Sequence, residues 1–269
     1  MGRFSENWLA LREPADHASI NALVRRELRT YFARLDEIRV LDLGCGAGSN
    51  ALSMIPDLPS SQKWTLIDFD LQLLEIARER VTSLPTEMVT LSVALQPADL
   101  AKDDISHFIG DADLITAAAF FDLVSHAYIE RLVQQIAEAG AVFTTTLTYD
   151  GIVAWLPEHH LDSVLRSAFN GHQRSDKGFG PAAGPDATDA LSRAFERYGY
   201  RVIRGTSPWI LTSKFSQLRQ HTNLGWTEAA AETGQISQDD LAAWSTFRSA
   251  HPDGVTIVGH EDLIALPPA

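Results

Sequence analysis

Arg39-Val40-Leu41-Asp42-Leu43-Gly44-Cys45-Gly46-Ala47-Gly48-Ser49-Asn50 carries the pattern from which the rest of the chain is read. An apolar run breaks into three alternating glycines and then into a helix-like segment, giving strand, tight turn and helix in succession. Glycine is required at such a turn for two reasons. The backbone must take angles closed to other residues, and a ligand must come close to the main chain.

Two ligands commonly use such a loop, a dinucleotide and S-adenosylmethionine. The dinucleotide fingerprint is G-x-G-x-x-G/A. Here its last position is Ser49, and the third glycine comes one residue early, at Gly48. The stretch instead resembles the first motif of the class I, Rossmann-like S-adenosylmethionine-dependent methyltransferases, an acidic residue followed by x-G-x-G-x-G. Asp42, Gly44, Gly46 and Gly48 match it in full. The resemblance implies that the loop, with Cys45 and Asn50 alongside, holds the methionine end of the cofactor and that Asp42 helps hold its amino group.

A second signal is expected at the end of the next strand, a carboxylate that accepts hydrogen bonds from ribose hydroxyls. Trp64-Thr65-Leu66-Ile67-Asp68 supplies it, with Phe69 beside it, and Leu73-Leu74-Glu75-Ile76-Ala77 reads as the following helix. The alternative is an α/β domain in which the glycine turn and Asp68 are turn chemistry alone.

At 269 residues the chain can bury a substantial core, and one domain is expected. With 22 Lys+Arg against 35 Asp+Glu the formal charge is −13, which opposes attraction to nucleic acid and to anionic membranes. The single cysteine, Cys45, forms no internal disulfide and reads as packing in the loop, a usage that fits a reducing compartment. No signal-type or membrane-length apolar run is present, so the expected location is cytoplasmic.

Residues 1–38 read as a helical cap. A proline at position 14 suits a new helix start, and Ile20, Leu23, Val24, Leu28, Tyr31, Phe32 and Leu35 recur at helical spacing as a core stripe. In many methyltransferases of this type an N-terminal helix closes over the cofactor. Trp8 could then line the pocket and Arg12 face a carboxylate; a docking helix with a surface arginine is the competing reading.

Residues 39–150 form the cofactor-binding half. Met88 to Val93 is a third strand, followed by Asp99 and Leu100. The resemblance implies that an acidic residue here meets the adenine amino group, while Asp99 as a plain helix cap competes. Asp113 to His126 is a fourth strand running into its loop, and in open α/β sheets ligands bind beyond such strand ends. Phe120 could flank a sulfonium, Phe121 could touch the acceptor, and Asp122 or His126 could orient or deprotonate it. Core packing for the aromatics and a helix start for His126 are the alternatives. A fifth strand spans 141–151 and ends near Tyr149, a candidate for binding the acceptor.

Residues 152–186 exceed what a minimal domain needs and read as a lid over the acceptor. His172, Gln173, Arg174 and Lys177 form a basic cluster there, able to meet a carboxylate or phosphate, with His172 a further candidate for proton transfer. Glu158, His159, His160 and Asp162 invite a metal reading, but no spaced ligand set completes a zinc site, and no metal is expected. Residues 187–269 complete the sheet. They contain a helix from 187 to 200, a strand from Tyr200 and a helical insertion over 212–252 with Ser237 as a cap. A last strand from Gly254 to Leu266 follows.

The resemblance implies a doubly wound, seven-stranded, mostly parallel α/β sheet with helices on both faces. Its last strand would insert antiparallel between the fifth and sixth. The expected activity is transfer of a methyl group from S-adenosylmethionine to an oxygen or nitrogen of a small polar metabolite, anionic ones included, leaving S-adenosylhomocysteine. A nicotinamide-dependent oxidoreductase, and a binding protein without turnover, are the rival readings. A homodimer is the default assembly.

Overall fold

The computed structural model describes residues 5–84 and 89–268. Met88, the expected start of the third strand, lies outside the described residues, as do the ends of the expected domain at 1–4 and 269. Five strands run parallel: β1 (Glu37–Leu43), β2 (Ser61–Asp68), β3 (Thr90–Pro97), β4 (Leu114–Ala118) and β5 (Val142–Leu156). β6 (Arg201–Thr206), the short β7 (Trp209–Leu211) and β8 (Val255–Leu266) complete a sheet of order β3-β2-β1-β4-β5-β8-β6. β8 enters between β5 and β6, antiparallel to both, as the resemblance implied. β7 is an addition, an eighth strand paired to β8. Its three residues are too short to give a period in the sequence.

Apolar faces cover the sheet on both sides. On one, α6 (His126–Ala139) and α8 (Ala187–Arg197) bury Leu132, Val133, Ile136, Leu191 and Phe195. On the other, α2 (Ala22–Phe32) and α4 (Leu71–Thr82) bury Val24, Leu28, Phe32, Leu74, Ala77 and Val81. α3 (Ser49–Met54) and α5 (Ser106–Gly110) are short connectors. A third core lies beyond the far half of β5, where α7 (Asp162–Gln173), α9 (Ser216–Thr233) and α10 (Gln238–Ser249) gather Trp155, Trp226 and Trp244. Ser237 caps α10 as expected, accepting from the Asp240 N–H at 3.1 Å.

Three expectations need correction. α1 (Glu6–Ser19) runs through Pro14, and the break falls at Asn21, whose side chain accepts from the N–H groups of Leu23 and Val24. Ion pairs on either side of the proline, Arg12 with Asp16 and Glu13 with Arg80, tie that helix down. Of the expected stripe, Leu23 and Tyr31 of α2 are exposed, because only one narrow face meets the sheet, and Leu35, also exposed, lies past the helix end. β5 continues to Leu156, past the expected end at Gly151, because β8 pairs with it along its length across two register shifts. The presumed lid is consequently part strand and part helix.

Candidate functional site

The carboxyl ends of β1 to β4 and the bulge of β5 open onto a cleft of about 1130 Å³ that continues into solvent. Its floor is the glycine turn. Gly44, Gly46 and Gly48 sit at φ +65, +51 and +80°, in the left-handed region that side chains avoid. A Cβ on Gly44 would come 3.3 Å from the Phe120 ring, and one on Gly46 would come 3.2 Å from Leu9. The floor is thus bare main chain, which fits a ligand laid directly on it. Gly48 is not in the cleft wall; it starts α3 and abuts Ala77 of α4.

Asp68 ends β2 at the cleft, and its Oδ2 accepts the Gly46 N–H at 2.9 Å while Oδ1 accepts that of Asp70 at 3.0 Å. The two sequence signals are therefore joined by a hydrogen bond. Burial pushes the Asp68 carboxyl up, and those main-chain donors oppose the rise. Phe69, Asp99 and Leu100 line the same wall. Asp99 lines the wall and heads a turn, not a helix: Oδ1 accepts from the Ala101 N–H at 3.0 Å, and Lys102 at 2.6 Å holds its carboxyl below the ordinary range.

On the other side the wall is strained. Ala119 and Leu147 have φ of 51 and 58°, conformations costing about 1–3 kcal/mol each. The Ala119 N–H donates to the Thr146 carbonyl at 2.9 Å, and the Leu147 N–H to Asp262 Oδ1 at 2.9 Å. Asp262, fully buried on β8, also accepts from the Asn21 N–H and from Ser207, and so locks the bulge of β5 against the cap. Ala119, Thr146 and Leu147 all line the cleft, and no signal in the sequence marks them.

The roof is α1. Leu9, Arg12 and Asp16 fall on one helical face toward the cleft, and His17 Nε2 lies 3.0 Å from both the carbonyl and the hydroxyl of Ser49. This phase puts Leu9, not Trp8, in the cleft; Trp8 packs toward α9, 6.5 Å from His221. A closing wall comes from the turn after α7. Asp176 Oδ1 accepts the N–H groups of Gly178 and Gly180 at 2.7 and 3.0 Å and so presents Phe179 edge-on to Phe120 and Tyr128. Phe179, Asp16, His17 and Leu9 went unrecognised in the sequence. The spacing of Leu9 and Asp16 to Arg12 could have found those two.

Several expected site residues lie elsewhere. Asp42 is fully buried beneath the loop, where Asn50 Nδ2 donates to Oδ1 at 2.8 Å; it does not reach the cleft. Phe121 is core, packed on Phe143. Asp122 is enclosed behind the wall, and burial pushes its carboxyl up to about 6. His126 is exposed at the start of α6, where its role is to begin the helix. His172 is bound to Glu232 at 3.0 Å and Arg174 to Asp186 at 2.9 Å, so the presumed basic cluster is largely paired within the protein. Tyr149 is buried and donates to Asn170 at 2.7 Å, and Lys177 is half-buried outside the cleft wall. Cys45, Asn50, Arg12 and Phe120 do line the cleft, and burial pushes the Cys45 thiol up, away from nucleophilic use.

Asp42 gives a stability prediction. Burial raises its carboxyl to about 7, above the ordinary value of about 3.9, so the native state keeps a proton that the unfolded chain releases. Its contribution to stability is present at acid pH and lost as pH rises through about 7. Asp42→Asn should flatten the fall in stability between pH 4 and pH 8, measured by urea unfolding of the ligand-free protein. An unchanged slope would count against this account.

Residues 40–140 match the sequence model of the methyltransferase domain family. No curated protein sequence matches the chain. Among solved structures it resembles YcgJ of Bacillus subtilis, with 16% identity over 93% of this chain and 100% of that one and a TM-score of 0.53. It also resembles the cyclopropane synthase MmaA2 of Mycobacterium tuberculosis, with 11% identity over 97% of this chain and 94% of that one and a TM-score of 0.52. The mycolic acid cyclopropane synthase CmaA1, solved with S-adenosylhomocysteine, gives the same identity, coverage and score. These likenesses concern the fold; the domain match covers the glycine turn, Asp68, Asp99 and the β4 end, which build the floor and part of the walls of the cleft, while the α1 roof, Thr146, Leu147 and Phe179 lie outside it. The match at residues 40–140 and the fold together support a methyltransferase domain of the class I, Rossmann-like type that uses S-adenosylmethionine.

Proposed function

We propose that the chain transfers a methyl group from S-adenosylmethionine to an oxygen or nitrogen of a small polar metabolite, anionic ones included. The observation that carries this reading is the roof. α1 lies over the glycine floor and Phe179 closes one wall, which leaves room for a small acceptor beside the cofactor rather than for a macromolecular surface.

Bound in the cleft, S-adenosylmethionine supplies an electrophilic methyl group on a sulfonium. Asp68 would take the ribose hydroxyls, Asp99 and Leu100 the adenine edge, and Arg12 the carboxylate. Phe120 would offer an aromatic face to the sulfonium. The protein's main contribution is alignment and exclusion of water, because the acceptor lone pair needs only an in-line approach. Asp122 is enclosed away from the cleft, and His126 and His172 lie outside its wall, so we assign none of them as general base.

Calorimetric titration with S-adenosylmethionine, S-adenosylhomocysteine and NAD(H), followed by a screen of acids, phosphates and amines for release of S-adenosylhomocysteine, tests the proposal. Binding of the adenosyl compounds with turnover of a small acceptor is expected; turnover only on protein or nucleic acid would overturn it. With that acceptor in hand, Asp122→Asn should keep kcat within about threefold of wild type, since general bases contribute about 100-fold or more. A larger loss of kcat, with the pH limb near 6 gone, would restore Asp122 as the base.

A further inference from the structure

Three features meet at the α1 roof and have no part in the chemistry above: a buried carboxylate, a buried indole and the added strand β7. Asp16 is 7% exposed, and its three hydrogen bonds all run to two residues. Arg12 donates from Nε at 2.8 Å and from Nη2 at 3.2 Å, and Trp209 donates from Nε1 at 2.9 Å. The Arg12 guanidinium also lies 5.0 Å from the centre of the Trp209 ring. Trp209 is itself buried, with His260 of β8 against it at 5.1 Å, and β7 exists only by its pairing with β8.

Burying a carboxylate is costly, and most of that cost is recovered only where donors surround it. The donors here fix Arg12 on two sides. Two of its nitrogens are committed to Asp16 and its face to an indole, while Nη1 makes no hydrogen bond among the described residues. Among the described residues Arg12 is the only lysine or arginine in the cleft wall. One helical turn before it, Leu9 packs on Gly46, so the guanidinium lies above the glycine floor that fits the methionine end of the cofactor.

We propose that Asp16 and Trp209 are positioning residues that hold Arg12 as the anchor for the cofactor's carboxylate, and that β7 is retained to deliver Trp209 to this contact. The proposal rests on the S-adenosylmethionine reading of the cleft. A fixed guanidinium gives up little freedom on binding, so the carboxylate contact gains from its preorganisation.

The test compares two ligands by calorimetry, S-adenosylhomocysteine and its decarboxylated analogue, which keeps the adenosine, the thioether and the amine. Wild type should bind the first about 10–100-fold more tightly, the range expected for a charge-assisted hydrogen bond. Arg12→Met should bring that ratio to about one, and Asp16→Asn should reduce it several-fold. Trp209→Phe, which keeps an aromatic face but loses the Nε1–H donor together with the pyrrole part of the indole, should reduce it less and remains informative if Asp16→Asn fails to fold. A purely structural pin would weaken both ligands alike and leave the ratio untouched, and that result would overturn the proposal. So would a wild-type ratio near one. If neither ligand binds wild type, the cofactor assignment itself has failed instead.

Discussion

Asp68→Ala is expected to weaken S-adenosylhomocysteine binding by about 100-fold or more, the loss of two hydrogen bonds to a charged group at ~1.5–3 kcal/mol each. The carboxylate sits at the end of β2, facing the cleft, and already accepts from Gly46 and Asp70. Its loss therefore removes the ribose acceptor and frees the glycine turn at once. Asp68→Asn retains one carbonyl oxygen and should lose less. Because burial raises the Asp68 carboxyl in the folded protein, the ligand-free alanine variant should be no less stable at neutral pH than the loss of its main-chain bonds requires. Calorimetry for binding and thermal melting for the free protein separate the two effects. Binding within tenfold of wild type would remove Asp68 from the cofactor site.

The second large effect is expected on folding. Gly48 begins α3 at φ +80°, and a Cβ there would lie 3.1 Å from the main chain and the Cβ of Ala77 in α4. Gly48→Val combines a forbidden backbone conformation, ~1–3 kcal/mol, with overpacking against a helix, another ~1–3 kcal/mol. At roughly 2–4 °C per kcal/mol for a chain of this size, the melting temperature should fall by about 5–20 °C. Gly110→Ala, where nothing lies within 4 Å of the added Cβ, is the control and should change little. Gly48 thus serves the fold, whereas Gly44 and Gly46 serve the cleft.

The glycine turn and the strand-end carboxylate were readable in the sequence because both depend on local chemistry. A turn that needs left-handed angles demands glycine, and a strand that ends at a ligand demands a polar group there. The same locality made α4, α8 and the cap of α10 legible from periodicity and capping. Aromatic and charged residues after β4 and in the 152–186 segment were harder. Phe121 and Asp122 lie next to Phe120 in sequence, yet only Phe120 lines the cleft, because a tight turn at 121–123 carries the next two inward. The basic residues near 174 were visible, but their acidic partners, Asp186 and Glu232, lie outside that cluster and partly on another helix.

By itself, the sequence determined the fold class, the cofactor loop and the carboxylate that pairs with it, since each is written in residues close together along the chain. Tertiary structure alone decided what surrounds them. Asp262 on the last strand holds Leu147 in a strained bulge of β5, and Trp209 reaches across to Asp16 on the first helix. Those contacts join residues far apart in sequence, and only burial of a carboxylate or an indole against its partner brings them together.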